Sequence, residues 1–261
     1  MIKLKNIYKS FSDDNGNIKN VLSDFSFEVE DSKFYTIVGP NGCGKSTVLN
    51  LFAGVILPDT GEVVVNSKLS ESIHIGYVWQ DYRSSLLPWY NVAENITLPL
   101  RIKGVIKSQR MKIANELLNS FNTDLTASQL TYELSGGQQQ LINLLRNMVI
   151  EPDILLLDEP FSALDQSNRW SMAFRFEQMW LDLKIPVLFV SHDIDEAVLL
   201  GDEIILLNKN GQIEKRIKNE SPRPRSVDML STERHINCRK EVIEFLFEQG
   251  AIKNGQRRTQ K

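Results

Sequence analysis

The sequence predicts an α/β fold built on a mainly parallel sheet with helices on both faces. Three observations predict it. Strand-length apolar runs alternate with helix-length segments over most of the 261 residues, the order a parallel sheet needs because each strand must return through a crossover. One run, Phe34–Val38, leads through a glycine-rich loop, GPNGCGKST at residues 39–47, into a helical segment. Another, ILLLDEP at residues 154–160, is apolar until it meets two acids, as a strand buried on both faces should be.

The elements follow in order. Residues 2–8 and 25–29 alternate apolar and polar, as half-buried strands do, and SDDNGN at 12–17 is turn material between them. After the glycine-rich loop, a helix over about 45–53 stops at Gly54. PDTG at 58–61 is a turn, and residues 62–65 and 73–79 are strands. From 84 to 150 the spacing becomes mostly helical. Ile113, Leu117, Leu118 and Phe121 form a stripe over 110–121, and 136–150 reads as a helix ending before Pro152. Strand 154–157, helix Gln166–Leu183, strand Val187–Val190, helix Ile194–Leu200 and strand Glu203–Leu207 come next. A hairpin turn at 208–211 precedes a return strand at 212–217. SPRPR at 221–225 reads as a linker, and Val242, Ile243, Phe245, Leu246 and Phe247 predict a short amphipathic helix. The expected organisation is a domain over 1–220, with a helical subdomain inserted at about 84–150, and an extension over 221–261.

Composition narrows the function. The net charge of −3 supplies no sequence-wide basic field, so nucleic acid is not an expected partner. Cys43 and Cys238 make no disulfide framework, and a reducing cytoplasm is the natural setting. The opening MIKLKNIYKSF is too charged for a signal peptide. No apolar run approaches the roughly 20 residues of a membrane helix, so a membrane role must come through a partner.

Gly39, Pro40, Asn41, Gly42, Cys43, Gly44, Lys45 and Ser46 fit G-x-x-x-x-G-K-[ST] between a strand and a helix. Glycines let backbone N–H groups converge on one point, and the helix that follows, with Thr47 in its first turn, presents its positive end. Lys45 suits the β- and γ-phosphates of ATP and Ser46 suits Mg²⁺. Asp158 and Glu159 end an apolar strand, where α/β folds gather ligands. Asp158 is the expected magnesium carboxylate and Glu159 the residue that polarises the attacking water.

Further motifs carry a family resemblance. Leu134, Ser135, Gly136, Gly137 and Gln138 form LSGGQ just before the acidic strand, which resembles the signature of the ATP-binding cassette (ABC) ATPases. Residues 162–165, SALD, resemble that family's D-loop. Ser191-His192-Asp193 resembles its switch histidine, Gln80 its Q-loop glutamine, and Phe11 the aromatic that stacks on adenine, with Tyr8 as the alternative. The resemblance spans roughly residues 1–220. It implies a P-loop NTPase core with a mainly parallel sheet, an antiparallel N-terminal β part and an inserted α-helical subdomain. It also implies ATP hydrolysis with Lys45, Gln80, Glu159 and His192 taking part, and magnesium held by Ser46, Gln80 and Asp158. Ser135-Gly136-Gly137 opens a helix, a second anion-ready end in a chain that already has a phosphate loop. The resemblance resolves this by head-to-tail pairing, in which one copy's signature closes on ATP held by the other.

LLPWYNV at 86–92 resembles a stretch in importer ATPases for nitrate, sulfonate and taurine, and the RPR of 223–225 resembles a late segment of the same subgroup. The implied partners are a second ATPase copy (as homodimer or pseudo-dimer), integral membrane permease subunits and an extracytoplasmic solute-binding protein. The implied location is the cytoplasmic face of the membrane. Leu87, Trp89 and Tyr90 suit a permease groove as exposed anchors, and Trp89 equally suits the helical subdomain's own core. The chain departs from the family at Leu141, where a basic residue is usual, and at Asp31-Ser32-Lys33, where a glycine is usual. The competing reading is a soluble ABC ATPase acting in translation or DNA maintenance, which usually has two cassettes or a coiled-coil insertion.

Overall fold

The structure, a computed structural model, describes residues 2–13, 15–65, 73–81, 85–162 and 164–252. The chain divides into two compact units, one of residues 1–30, 34–66 and 190–261, the other of 31–33 and 67–189. The helical insertion expected over 84–150 falls in the second unit, and residues 221–261 belong to the first.

In the first unit, β1 (Ile2–Ser12) pairs antiparallel with β2 (Ile18–Glu28) on one side and β4 (Thr60–Val65) on the other. Both hairpin strands run longer than their alternation predicts, because Asp13 closes the turn tightly. Its Oδ1 accepts the N–H of Asn15 at 2.9 Å and of Asn17 at 2.8 Å. The inward row Leu4, Ile7, Leu22, Phe25 and Phe27 is almost fully buried. Phe27 meets Tyr35 and Phe52 edge-on, with ring centroids 5.1 and 6.1 Å away. That contact fastens the antiparallel sheet to β3 (Phe34–Val38) and α1 (Lys45–Phe52), and burying one such ring contributes about 1.5–3 kcal/mol. β3 pairs parallel with β8 (Glu203–Leu207), which pairs antiparallel with β9 (Ile213–Lys218).

The segment read as a linker is anchored. Arg225 donates to the carbonyls of Leu199 at 2.5 Å and Gly201 at 2.7 Å, and Arg223 to that of Leu200 at 2.6 Å. These are the orphan carbonyls at the end of α7 (Ile194–Leu200), and Asp202 pairs with both guanidinium groups. The terminal helix is longer than the apolar cluster predicts, running Glu233–Glu248 as α8. Thr232 caps it by accepting the His235 N–H. Its buried stripe is His235, Cys238, Val242, Phe245 and Leu246. Cys238, Val242, Phe245 and Leu246 pack on Val38, Ala197, Val198, Ile204, Leu206 and Ile217.

In the second unit the strand order is β5 (Ile75–Val78), β6 (Ile154–Asp158), β7 (Val187–Val190), with β5 parallel to β6. Helices α2 (Val92–Ile96), α3 (Leu98–Ile102), α4 (Lys107–Ser120), α5 (Gly136–Met148) and α6 (Gln166–Leu183) complete it. Where the family's glycine is missing, Ser32 adopts a left-handed φ of 58°, which costs a side-chain-bearing residue roughly 1–2 kcal/mol. Its hydroxyl donates to the Lys184 carbonyl at 2.6 Å, which offsets part of that cost. Among the described residues no helix is long and apolar enough to cross a membrane.

Candidate functional site

The glycine-rich loop is shaped by close approaches that only glycine permits. A Cβ on Gly39 would lie 2.5 Å from the Leu207 carbonyl oxygen. Gly42 and Gly44 adopt φ of 73° and 103°, in the region glycine enters without strain. The Cys43 N–H turns back to the Pro40 carbonyl at 3.3 Å. Gly44 is the N-cap of α1 and makes no side-chain capping bond, and no acid stands in the first turn. The N–H groups of Lys45, Ser46 and Thr47 are therefore that helix's open donors. Asn41 is exposed.

Lys45 is only 7% exposed, and its ammonium donates to the carbonyls of Gly39 at 2.9 Å and Pro40 at 3.0 Å. Both acceptors are neutral, so a bound anion would complete the electrostatics of this buried cation. Cys43 is buried, and burial pushes its thiol pKa up. It stays a neutral thiol near neutral pH.

Phe11 lies exposed on β1, with the Lys9 ammonium 5.4 Å from its ring centroid. Tyr8 is exposed too. Lys9 is held by Asp59 at 2.7 Å, and the same carboxylate accepts from the N–H and hydroxyl of Ser10. These donors hold the Asp59 pKa down to about 2. His192 is exposed between two fixed neighbours. Ser191 donates to Glu196 and accepts the Asp193 N–H, and Asp193 caps α7 by accepting the Glu196 N–H at 3.1 Å.

In the second unit Ser135 caps α5 through a capping box. Its Oγ accepts the Gln138 N–H at 3.3 Å, and its own N–H donates to Gln138 Oε1 at 2.9 Å. A Cβ on Gly137 would lie 2.2 Å from Leu164 Cδ2, so the absent side chain leaves room for the loop that ends at Asp165. Ala163 of that loop lies outside the described residues. Asp165 caps α6 by accepting the Asn168 N–H at 3.0 Å. Ser135, Gly137, Gln138, Leu141, Leu164 and Arg175 border a cavity of about 320 Å³. At the position where a basic residue was expected, Leu141 is buried.

Asp158 ends β6 almost fully buried. Burial and the Asp158 carboxylate together push the Tyr77 hydroxyl pKa up. Glu159 follows with a left-handed φ of 52°. Its carbonyl accepts from the N–H and hydroxyl of Ser162 and from Gln140 Nε2 at 3.2 Å. The helix that begins at the signature is thus hydrogen-bonded to the backbone of the catalytic candidate. Gln80 is exposed just past β5, beside Trp79, which stacks on Tyr77 at 3.9 Å.

The 86–92 stretch is pinned by two residues whose roles sequence reasoning missed. Asn95 is fully buried; it accepts the Leu87 N–H and donates to the carbonyls of Leu87, Tyr90 and Asn91. Arg146, on α5, donates to Asn95 and Ser85, and burial brings its pKa down to about 10. The available signal was a polar residue inside an apolar helical stripe. Trp89 is 69% exposed, which removes the core reading of that side chain. Leu87 and Tyr90 are half-buried and Leu86 is buried. Beside them a cleft of about 330 Å³ is lined by Leu86, Pro88, Tyr132 and Leu134.

Among the described residues no cluster of three or more His, Cys, Asp or Glu side chains could hold a metal. Magnesium that arrives with a nucleotide needs no such cluster, because phosphate oxygens and water fill most of its sphere. Ser46 carries a hydroxyl and Asp158 a buried carboxylate, the kinds of hard oxygen donor such an ion accepts.

The family model described as ABC transporter matches residues 22–162. An ABC transporter ATP-binding protein of Methanocaldococcus jannaschii is 35% identical over 94% of this chain and 91% of its own length. The aliphatic sulfonates import ATP-binding protein of Bacillus cereus is 34% identical over 96% and 97%. The taurine import ATP-binding protein of Escherichia coli is 32% identical over 95% and 98%. A dimeric ATP-binding cassette solved in a post-hydrolysis state with ADP and Pi superposes with a TM-score of 0.73. It shares 31% identity and covers 85% of this chain and all of its own.

Proposed function

The chain belongs to the ABC transporter family, and we propose that it is the ATPase subunit of an importer for a small solute of the nitrate, sulfonate or taurine class. The observation that carries the reading is the pair of glycine-rich helix starts. One is uncapped and holds a buried, anion-seeking Lys45; the other is capped by its own Ser135 and Gln138.

Each residue then has a task. Lys45 and the open N–H groups of Lys45, Ser46 and Thr47 hold the polyphosphate. Ser46 and Asp158 offer oxygens to magnesium, with the Gln80 amide as a further donor. Glu159 orients and polarises water, and His192 contacts the γ-phosphate. Phe11 stacks on adenine. Ser135 with Gly136, Gly137 and Gln138 caps the γ-phosphate held by a second copy, so ATP draws two copies together and hydrolysis releases them.

The permease is the partner for the 86–92 stretch, where Trp89 stands exposed as an aromatic anchor. A solute-binding protein completes the assembly outside, and the ATPase sits peripherally on the cytoplasmic face. Reconstitution with the permease pair tests this: turnover should rise when solute-loaded binding protein is added. A rate indifferent to every membrane subunit overturns the transport assignment. Glu159→Gln should bind ATP and fail to turn it over, and unchanged turnover would remove Glu159 from its role.

A further inference from the structure

We infer that Lys19 is a second phosphate-binding cation of the nucleotide site, reaching the loop from the neighbouring hairpin. The inference rests on the reading of residues 39–47 as a phosphate cradle. Lys19 lies on β2 directly opposite Phe11 of β1 in the strand register. Residues opposed in an antiparallel pair project from the same face with Cβ atoms about 4.5–5.5 Å apart. The same face therefore carries the proposed adenine stacker and a lysine. The lysine is aimed at the loop, since a Cβ built on Gly42 would lie 3.4 Å from Lys19 Nζ.

The other lysine near Phe11 is already committed. Lys9 Nζ is bound by Asp59 at 2.7 Å. Lys19 makes no hydrogen bond or ion pair among the described residues. Its strand register and its reach over Gly42 put it beside the path from a base on Phe11 to phosphates on the loop. An ammonium there makes a charge-assisted contact with the polyphosphate. The side chain is exposed, so the contact is of the modest, salt-sensitive kind.

Equilibrium binding of magnesium–ADP and magnesium–ATP tests the inference without relying on turnover. Lys19→Ala should weaken both by about three- to tenfold. Lys19→Glu should weaken them further, and Lys19→Arg should restore them. The affinity of Lys19→Ala should also fall less steeply with added salt than that of the unmodified protein, which a merely structural role would not produce. The melting temperature without nucleotide should stay unchanged in all three variants, since no native contact is removed. If Lys19→Ala and Lys19→Glu bind ADP with unaltered affinity and salt dependence, the role of Lys19 is overturned. If the unmodified protein fails to bind ADP, or Lys45→Ala binds it equally well, the cradle reading itself falls and the inference with it.

Discussion

The helix starts at Gly44 and Ser135 use similar residues for opposite purposes. At Gly44 the backbone is left-handed, no side chain caps the helix, and a buried ammonium donates to two neutral carbonyls. At Ser135 the cap is closed by reciprocal bonds with Gln138. The first end leaves its helix donors uncapped and its buried ammonium on neutral acceptors, an arrangement that favours an anion. The second is satisfied alone and offers its dipole and hydroxyl to whatever is brought to it. On the proposed reading, one chain holds a nucleotide unaided and its second anion end takes its phosphate from another copy.

The sharpest way to break this contrast is to disable each end separately. Lys45→Ala should lower ATP turnover by roughly 10²–10³-fold and weaken nucleotide binding. Ser135→Ala should leave binding intact while turnover falls. Mixing the two inactive proteins should restore turnover that neither has alone, because one composite site then keeps both native ends. No recovery on mixing would mean that the signature serves its own chain's nucleotide.

Rigidity separates the two ends as well. Gly39→Ala drives a methyl group against the Leu207 backbone carbonyl, which has no room to yield, and should cost about 2–3 kcal/mol in denaturant unfolding. Gly137→Ala meets only the rotatable end of Leu164 and should cost about 1 kcal/mol. Equal costs would erase the distinction between a rigid cradle and a yielding one.

The smallest effect lies at Asp59, beside Phe11. Its carboxyl pKa is held at about 2 against an ordinary 3.8. A depressed folded pKa gives stability that is present above pH 4 and is lost as the pH falls toward 2. Acid titration of Asp59→Asn, followed by circular dichroism, should show a shallower loss over that window than the unmodified chain.

The glycine-rich loop and the acid-ended strand were legible from sequence because both are local patterns set by residue spacing. The strands and helices from 154 to 207 were legible for the same reason, since their apolar runs are bounded by clear breakers. The reach of β1 and β2 was not, because Asp13 sets it through a turn whose hydrogen bonds carry no periodicity. The first two turns of α8 were hidden because His235 and Cys238 serve there as core residues in an otherwise charged stretch. Asn95 and Arg146 were opaque because their value comes from each other, 51 residues apart. The exposure of Trp89 was undecidable from composition, since an aromatic suits an interface and a core equally.

The fastening of Arg223 and Arg225 onto the end of α7, and of α8 onto the sheet beyond it, has a practical side. Trimming the gene after codon 220 would leave bare the oily strip that α8 covers on Val38, Ile204 and Leu206. The shortened protein would be expected to clump during expression, and its loss of activity would say nothing about regulation by the tail.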